Sequence, residues 1–178
     1  MLLSARRKIR EDTIDRLYGA IVAHARLPIF YRALIVPDTI EGRFDLLVLH
    51  VHLLFRRLAQ GDELCRAIGQ GVFDRFLADM DASLRELGVG DLAVPKRMRA
   101  MGEAFYGRAA AYDAALGEAG DEALAAALQR NVYASDPDAG RSAVLLAHYV
   151  RSAASAMAVQ DAAVIASGVV EFPMPEVD

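Results

Sequence analysis

The chain has 178 residues, 54% of them hydrophobic and 25% charged, with a formal charge of −4. That length gives one domain with room for a buried core, and that composition excludes a disordered segment. The acidic balance excludes a nucleic-acid binder that works through its whole surface, and a single cysteine, Cys65, excludes an internal disulfide.

Alanine and leucine dominate and no period-two alternation persists. The expected fold is therefore all-α: a single-domain bundle of about six or seven helices around a central hydrophobic one. The opening MLLSARRKIRED carries positive charges with no apolar run behind them and no small-residue cleavage site. Glu11, Asp12 and Asp15 follow too soon for a transit peptide. A bacterial, cytosolic protein is expected.

From about Ile9 to Ala25, the residues Ile9, Ile14, Leu17, Ile21 and Ala25 share one helical face. Leu27-Pro28 breaks that helix, and IFYRAL reads as a short helical fragment laid on the core. Asp38 is placed to cap the next helix, with Glu41 reaching back in a capping box. That helix runs to about Ala59 and is apolar on two sides. Phe44, Leu47, Val48, Val51, Leu54, Phe55 and Leu58 form a broad face, and Leu46, Leu49 and Leu53 a narrower one. Arg43, His50 and Arg57 line one polar stripe between them; Asp45, His52 and Arg56 line the other. Such a helix belongs at the centre of a bundle.

The chain restarts at Gly61-Asp62. Leu64, Ile68, Val72, Phe76, Met80, Leu84 and Leu87 then make one stripe through Glu86. Gly69 and Gly71 suit close approach of another backbone or a kink, and Gly88 suits a left-handed helix end. After the elbow Gly88-Val89-Gly90-Asp91-Leu92, Pro95 suits a helix's first turn. Met98, Met101, Phe105, Ala109, Tyr112 and Leu116 form its buried face, and Gly102 and Gly107 suggest close helix–helix contact. A short alanine-rich helix follows from Glu122 to about Tyr133, then turn chemistry at Ser135-Asp136-Pro137-Asp138. One long helix is expected from Ala139 to Ala166. Its charged residues exclude a membrane span, and its face Ala154, Ala158, Ala162 and Ala166 suits helix pairing. The tail EFPMPEVD is expected to be extended and exposed.

No catalytic or metal constellation assembles. His50 and His52 stand two apart and point to opposite sides of a helix, where zinc pairs need three- or four-residue spacing; pairing with a neighbouring acid such as Asp45 is the simpler role. His24 and His148 have no acidic or cysteine partner nearby in sequence. Asp74, Asp79, Asp81 and Glu86 lack the Glu-x-x-His partner of a dimetal bundle, and Asp81 with Arg85 at four-residue spacing reads as a salt-bridged face. The two Gly-x-Gly stretches follow no strand. Lys96-Arg97-Met98-Arg99 suits RNA phosphates, an acidic protein segment or plain solvation. Methionines 80, 98 and 101 beside Phe105 and Tyr106 suit an adaptable groove for an apolar helix, and equally a core.

Several stretches carry a resemblance. They are P-I-F-Y, V-P-D-T-x-x-G-R-F-D-L, L-H-V, F-D-x-F-x-x-D-M-D-x-S-L-R-E-L-G-V-G-D-L-x-V-P-K-x-M and A-F-Y-G-R-x-x-A-Y, between Pro28 and Leu116. On these the chain resembles the ubiquinol–cytochrome c chaperone family. The resemblance implies an all-α domain with no catalytic residues and no cofactor, an assembly factor of respiratory complex III. Its implied client is nascent or newly inserted cytochrome b. The further contacts implied are a small partner subunit, the ribosome exit region and a peripheral touch on the cytoplasmic face of the inner membrane, with no DNA.

On that reading the groove contacts are Phe73, Phe76, Met80, Met98, Met101, Phe105 and Tyr106. Arg43, His50 and Arg57, with Asp74, Asp81, Arg85 and Arg108, form its polar rim or meet a partner, and Lys96 leads the basic cluster. The alternative is a carrier holding lipid, quinone or haem in the helical core.

Overall fold

The computed structural model describes residues 2–134 and 136–176, and the side chains of all of these except residues 2–7 and 9. Ile9, Ser135 and the Arg6-Arg7 pair of the positively charged opening lie outside the described side chains. Every regular element among the described residues is helical: α1 (Leu2–Ala25), α2 (Pro28–Arg32), α3 (Ile40–Ala59), α4 (Glu63–Glu86), α5 (Val94–Leu116), α6 (Glu122–Asn131), α7 (Gly140–Val159) and α8 (Ala162–Ala166).

Helix α3 is the centre. Twelve of its twenty residues are buried, and it touches α1, α4, α5, α7 and α8. Its cap lies one residue later than the sequence suggests. Thr39, in extended backbone, accepts a hydrogen bond from the Gly42 amide at 3.1 Å, while Asp38 pairs with Arg43 at 2.7 Å. A cap of this kind contributes about 1 kcal/mol. Gly42 is required by space: a Cβ there would stand 2.0 Å from the Pro37 carbonyl oxygen.

Helix α4 is capped by Asp62 and lies against α1 and α3. Its glycines admit side chains from both: Leu58 presses on Gly69 and Ile14 on Gly71. Gly88 closes α4 with φ +78°, the left-handed position where a Cβ is costly. Gly102 and Gly107 of α5 behave otherwise than expected. Nothing lies within 4 Å of a Cβ at either, so no helix packs on them.

The long C-terminal helix is interrupted. Helix α7 ends at Val159, Gln160 turns extended, and the Asp161 carboxylate accepts the Ala163 amide at 2.8 Å to start α8. The alanine face is thereby divided: Ala158 is exposed on α7, whereas Ala162 and Ala166 are buried on α8. The tail is extended as expected but lies on the protein instead of in solvent. The Phe172 ring centre is 5.1 Å from that of His24 and 5.2 Å from that of His50, the Gln160 side chain brackets the Glu171 backbone at 2.8 and 3.0 Å, and Pro175 is buried.

Candidate functional site

Four helices leave an open groove at one end of the bundle. The end of α1, the start of α3, the last turns of α4 and the second turn of α5 enclose about 310 Å³, with Ile40, Phe44, Leu47, Met80, Leu84, Leu87 and Met101 as apolar lining. Arg26, Arg43, Asp79, Ser83 and Glu86 supply its polar atoms. Ile40 and Leu87, 62% and 58% exposed, share this one lining, and apolar side chains gathered in a cleft, unlike scattered ones, mark interaction sites. Unbranched Met80 and Met101 line the groove, and such side chains re-pack around different shapes at little cost. A second, polar basin of about 580 Å³ adjoins the groove through shared Arg26 and Arg43, and is completed by Pro28, Tyr31, Arg32 and Asp38.

Of the residues chosen from sequence, Arg43, Met80 and Met101 meet in this groove. Met98 is half-buried on the same helix and packs on the core; Lys96 is exposed in the first turn of that helix. Tyr106 is 60% exposed, with its ring 5.7 Å from that of Phe73.

Phe73, Phe76 and Phe105 are core. Phe105 lies 4.7 Å from Phe73 and 6.0 Å from Phe76, ring to ring, and all three are buried. They form the packed layer beneath the groove, with Phe44 stacked on Phe76 at 5.9 Å.

The rim is only partly where the sequence placed it. His50 is fully buried and Arg57 faces α7, so neither joins Arg43 at the groove. Seven-residue spacing keeps the three on one stripe, but different neighbours cover that stripe along its length. Arg57 donates to the Met157 and Gln160 carbonyls at 2.7 to 3.0 Å, satisfying acceptors at the end of α7. Asp81 and Arg85 pair at 2.6 Å as their spacing requires, and Arg85 also holds Asp91 of the elbow at 2.5 Å. Asp74 accepts from Gln70 on the outer face of α4. Arg108 reaches inward to Asp45 at 2.8 Å and lies over the Phe44 ring. Burial pushes the Asp45 carboxyl up to about 6, against the opposing pull of Arg108.

The histidines are structural, with partners other than Asp45. His52 faces Asp113 at 3.4 Å on α5. His50 has its Nδ1 2.7 Å from the Leu46 carbonyl and its Nε2 2.7 Å from the Tyr149 hydroxyl. Burial holds the His50 pKa down to about 3, so the ring is neutral. Its single proton goes to Leu46, Tyr149 therefore donates to His50 Nε2, and His24 Nε2 donates to Tyr149 Oη at 3.0 Å. Distant acids meet His148 as well, Asp121 at 3.6 Å and Glu176 at 3.9 Å. Among the described residues no group of three or more His, Cys, Asp or Glu side chains is arranged to hold a metal, and no helix is long and apolar enough to cross a membrane.

The ubiquinol-cytochrome C chaperone family matches residues 32–172. The chain belongs to that family. This chaperone is 30% identical over 140 residues to ubiquinol-cytochrome-c reductase complex assembly factor 1 of Xenopus laevis, a match covering 76% of this chain and 68% of that protein. It is 29% identical to the protein of the same name from Mus musculus, and there the match spans 46% of the relative's length. The crystal structure of the Cbp3 homolog from Brucella abortus superposes with a TM-score of 0.90 at 38% identity, covering 100% of both chains. The family is a non-enzymatic, chaperone class, and membership does not favour the carrier alternative.

Arg26, Arg32, Ile40 and Leu87 of the site were not singled out as contacts from sequence. The signal available was weak: Ile40 stands next to the Thr39 cap and Leu87 next to the Gly88 stop, and apolar residues at helix ends are common.

Proposed function

We propose that this complex III assembly chaperone holds newly made cytochrome b by laying one face of an apolar client helix along the α3–α4–α5 groove. The observation that carries the reading is the groove itself: exposed Ile40 and Leu87 lead into a methionine-lined cleft over a sealed aromatic layer. A helix is about 10–12 Å across, so the groove takes anchor side chains at i, i+3 or i+4, and i+7 and leaves the helix body outside. The setting we propose is the cytoplasmic face of the inner membrane, with peripheral membrane contact and a small partner subunit or the ribosome exit region alongside. Lys96, Arg97 and Arg99, exposed around the first turns of α5, suit such acidic or phosphate-bearing neighbours.

The test is complementation of a deletion strain, read as the haem b signal of reduced-minus-oxidised membranes. The unaltered chain should restore the complex III signal. A Leu87→Asp, Met101→Asp chain of equal abundance should not. Full restoration by that chain would remove the groove from the function.

A further inference from the structure

The groove has electrical polarity. At its α1–α3 end, Arg26, Arg32 and Arg43 surround the polar basin, with Asp38 as the one acid in its lining. Asp38 is already taken by Arg43 at 2.7 Å. Among the described residues neither Arg26 nor Arg32 has an ion pair or a hydrogen bond from its side chain, and both are exposed. The α4 end is opposite in sign. Glu86 lines the groove there without an ion pair among the described residues, while Asp79 is engaged by the Tyr18 hydroxyl at 2.7 Å and lies 3.9 Å from Arg75.

Three guanidinium groups around one concavity with one carboxylate repel one another, which gains the isolated fold nothing. Each presents a planar fork of donors suited to carboxylate. The basin is continuous with the apolar groove through Arg26 and Arg43, so a single ligand can occupy both.

We propose that the segment this groove accepts is an apolar helix ending in carboxylates, and that Arg26, Arg32 and Arg43 bind those carboxylates. This rests on the client-binding reading above. It adds direction. The negative C-terminal end of the client helix lies over the arginine basin, where its dipole and acidic side chains meet cations. Its N-terminal end lies toward Glu86, which favours a basic flank there.

Two soluble helical peptides with the same apolar stripe test it by fluorescence anisotropy against the full chain. One ends in three glutamates and the other in three lysines. The acid-ended peptide should bind about tenfold tighter, equivalent to about 1.4 kcal/mol, with the difference shrinking at high salt. In an Arg26→Glu, Arg32→Glu chain the order should reverse, whereas Arg130→Glu, a change on the exposed side of α6, should leave it unchanged.

Equal binding of both peptides, or a preference that survives the double reversal, overturns the proposal while leaving the client groove intact. Failure of both peptides to bind overturns the groove reading with it. A third arm uses dihexanoyl phosphatidylglycerol. If it binds through the same arginines and the peptides are not discriminated, the basin is a lipid-headgroup site and the proposal fails.

Discussion

Helix α3 borders two regions built on opposite terms. Toward α1, α7 and the tail, His24, His50 and Tyr149 share one hydrogen-bonded chain among Phe30 and Phe172. Toward the last turns of α4 and the second turn of α5, large apolar side chains stand half in solvent, and beside them, past the end of α1 and on α2, Arg26 and Arg32 have no counterion among the described residues. The difference shows where the fold is held together and where it is left open for something else. A buried polar chain is stabilising when its members are satisfied, and His50 and Tyr149 on the sealed side each have their partners. An exposed apolar cleft gives the monomer nothing and becomes favourable only when a partner covers it.

The contrast can be broken from the sealed side first. Phe30→Ala removes a fully buried ring between His24, His50 and Tyr149, and should cost about 3–5 kcal/mol in urea unfolding. Acid should act on the same place. The folded chain holds His50 neutral, with its pKa lowered from 6.5 to about 3, while the unfolded chain protonates it. That contribution to stability is complete above pH 6.5 and is lost as pH falls toward about 3; a His50→Gln chain should show a flatter acid limb in the urea midpoint. Tyr149→Phe keeps the ring but leaves His24 and His50 without their shared hydroxyl, for a loss of about 1–3 kcal/mol with client capture unchanged. Gly88→Ala, at φ +78°, should cost about 1–2 kcal/mol and loosen the elbow behind the groove. The smallest effect on stability belongs to the open side. Leu87→Ser should stay within about 0.5 kcal/mol of the parent by thermal melting, yet lower capture of an apolar helical peptide several-fold.

What was legible in the sequence follows from how local each signal is. The two-sided apolar pattern of α3, the glycine stop at Gly88 and the Asp81–Arg85 pair are set by residues within a few positions of one another, and all are present. Met80, Met101 and Arg43 of the groove were legible too, since a thioether or a cation on an apolar helix stands out. Other features depend on chain segments that meet only on folding. His50 and Arg57 share a stripe with Arg43, yet Tyr149 and the end of α7 claim them. Phe172 reads as a tail residue until His24 and His50 are beside it. The break at Gln160 carries no glycine or proline, and an aspartate within an alanine-rich run looks like helix surface until its carboxylate is seen capping Ala163.

The most direct measurement is site-specific photo-crosslinking in cells that make tagged cytochrome b. A photoreactive residue at exposed Ile40 or Leu87 in the groove is compared with one at exposed Val144 or Val159 on α7. Crosslinks to cytochrome b from the groove positions, and none from α7, are the expected result. Crosslinks from α7 with none from the groove would contradict it.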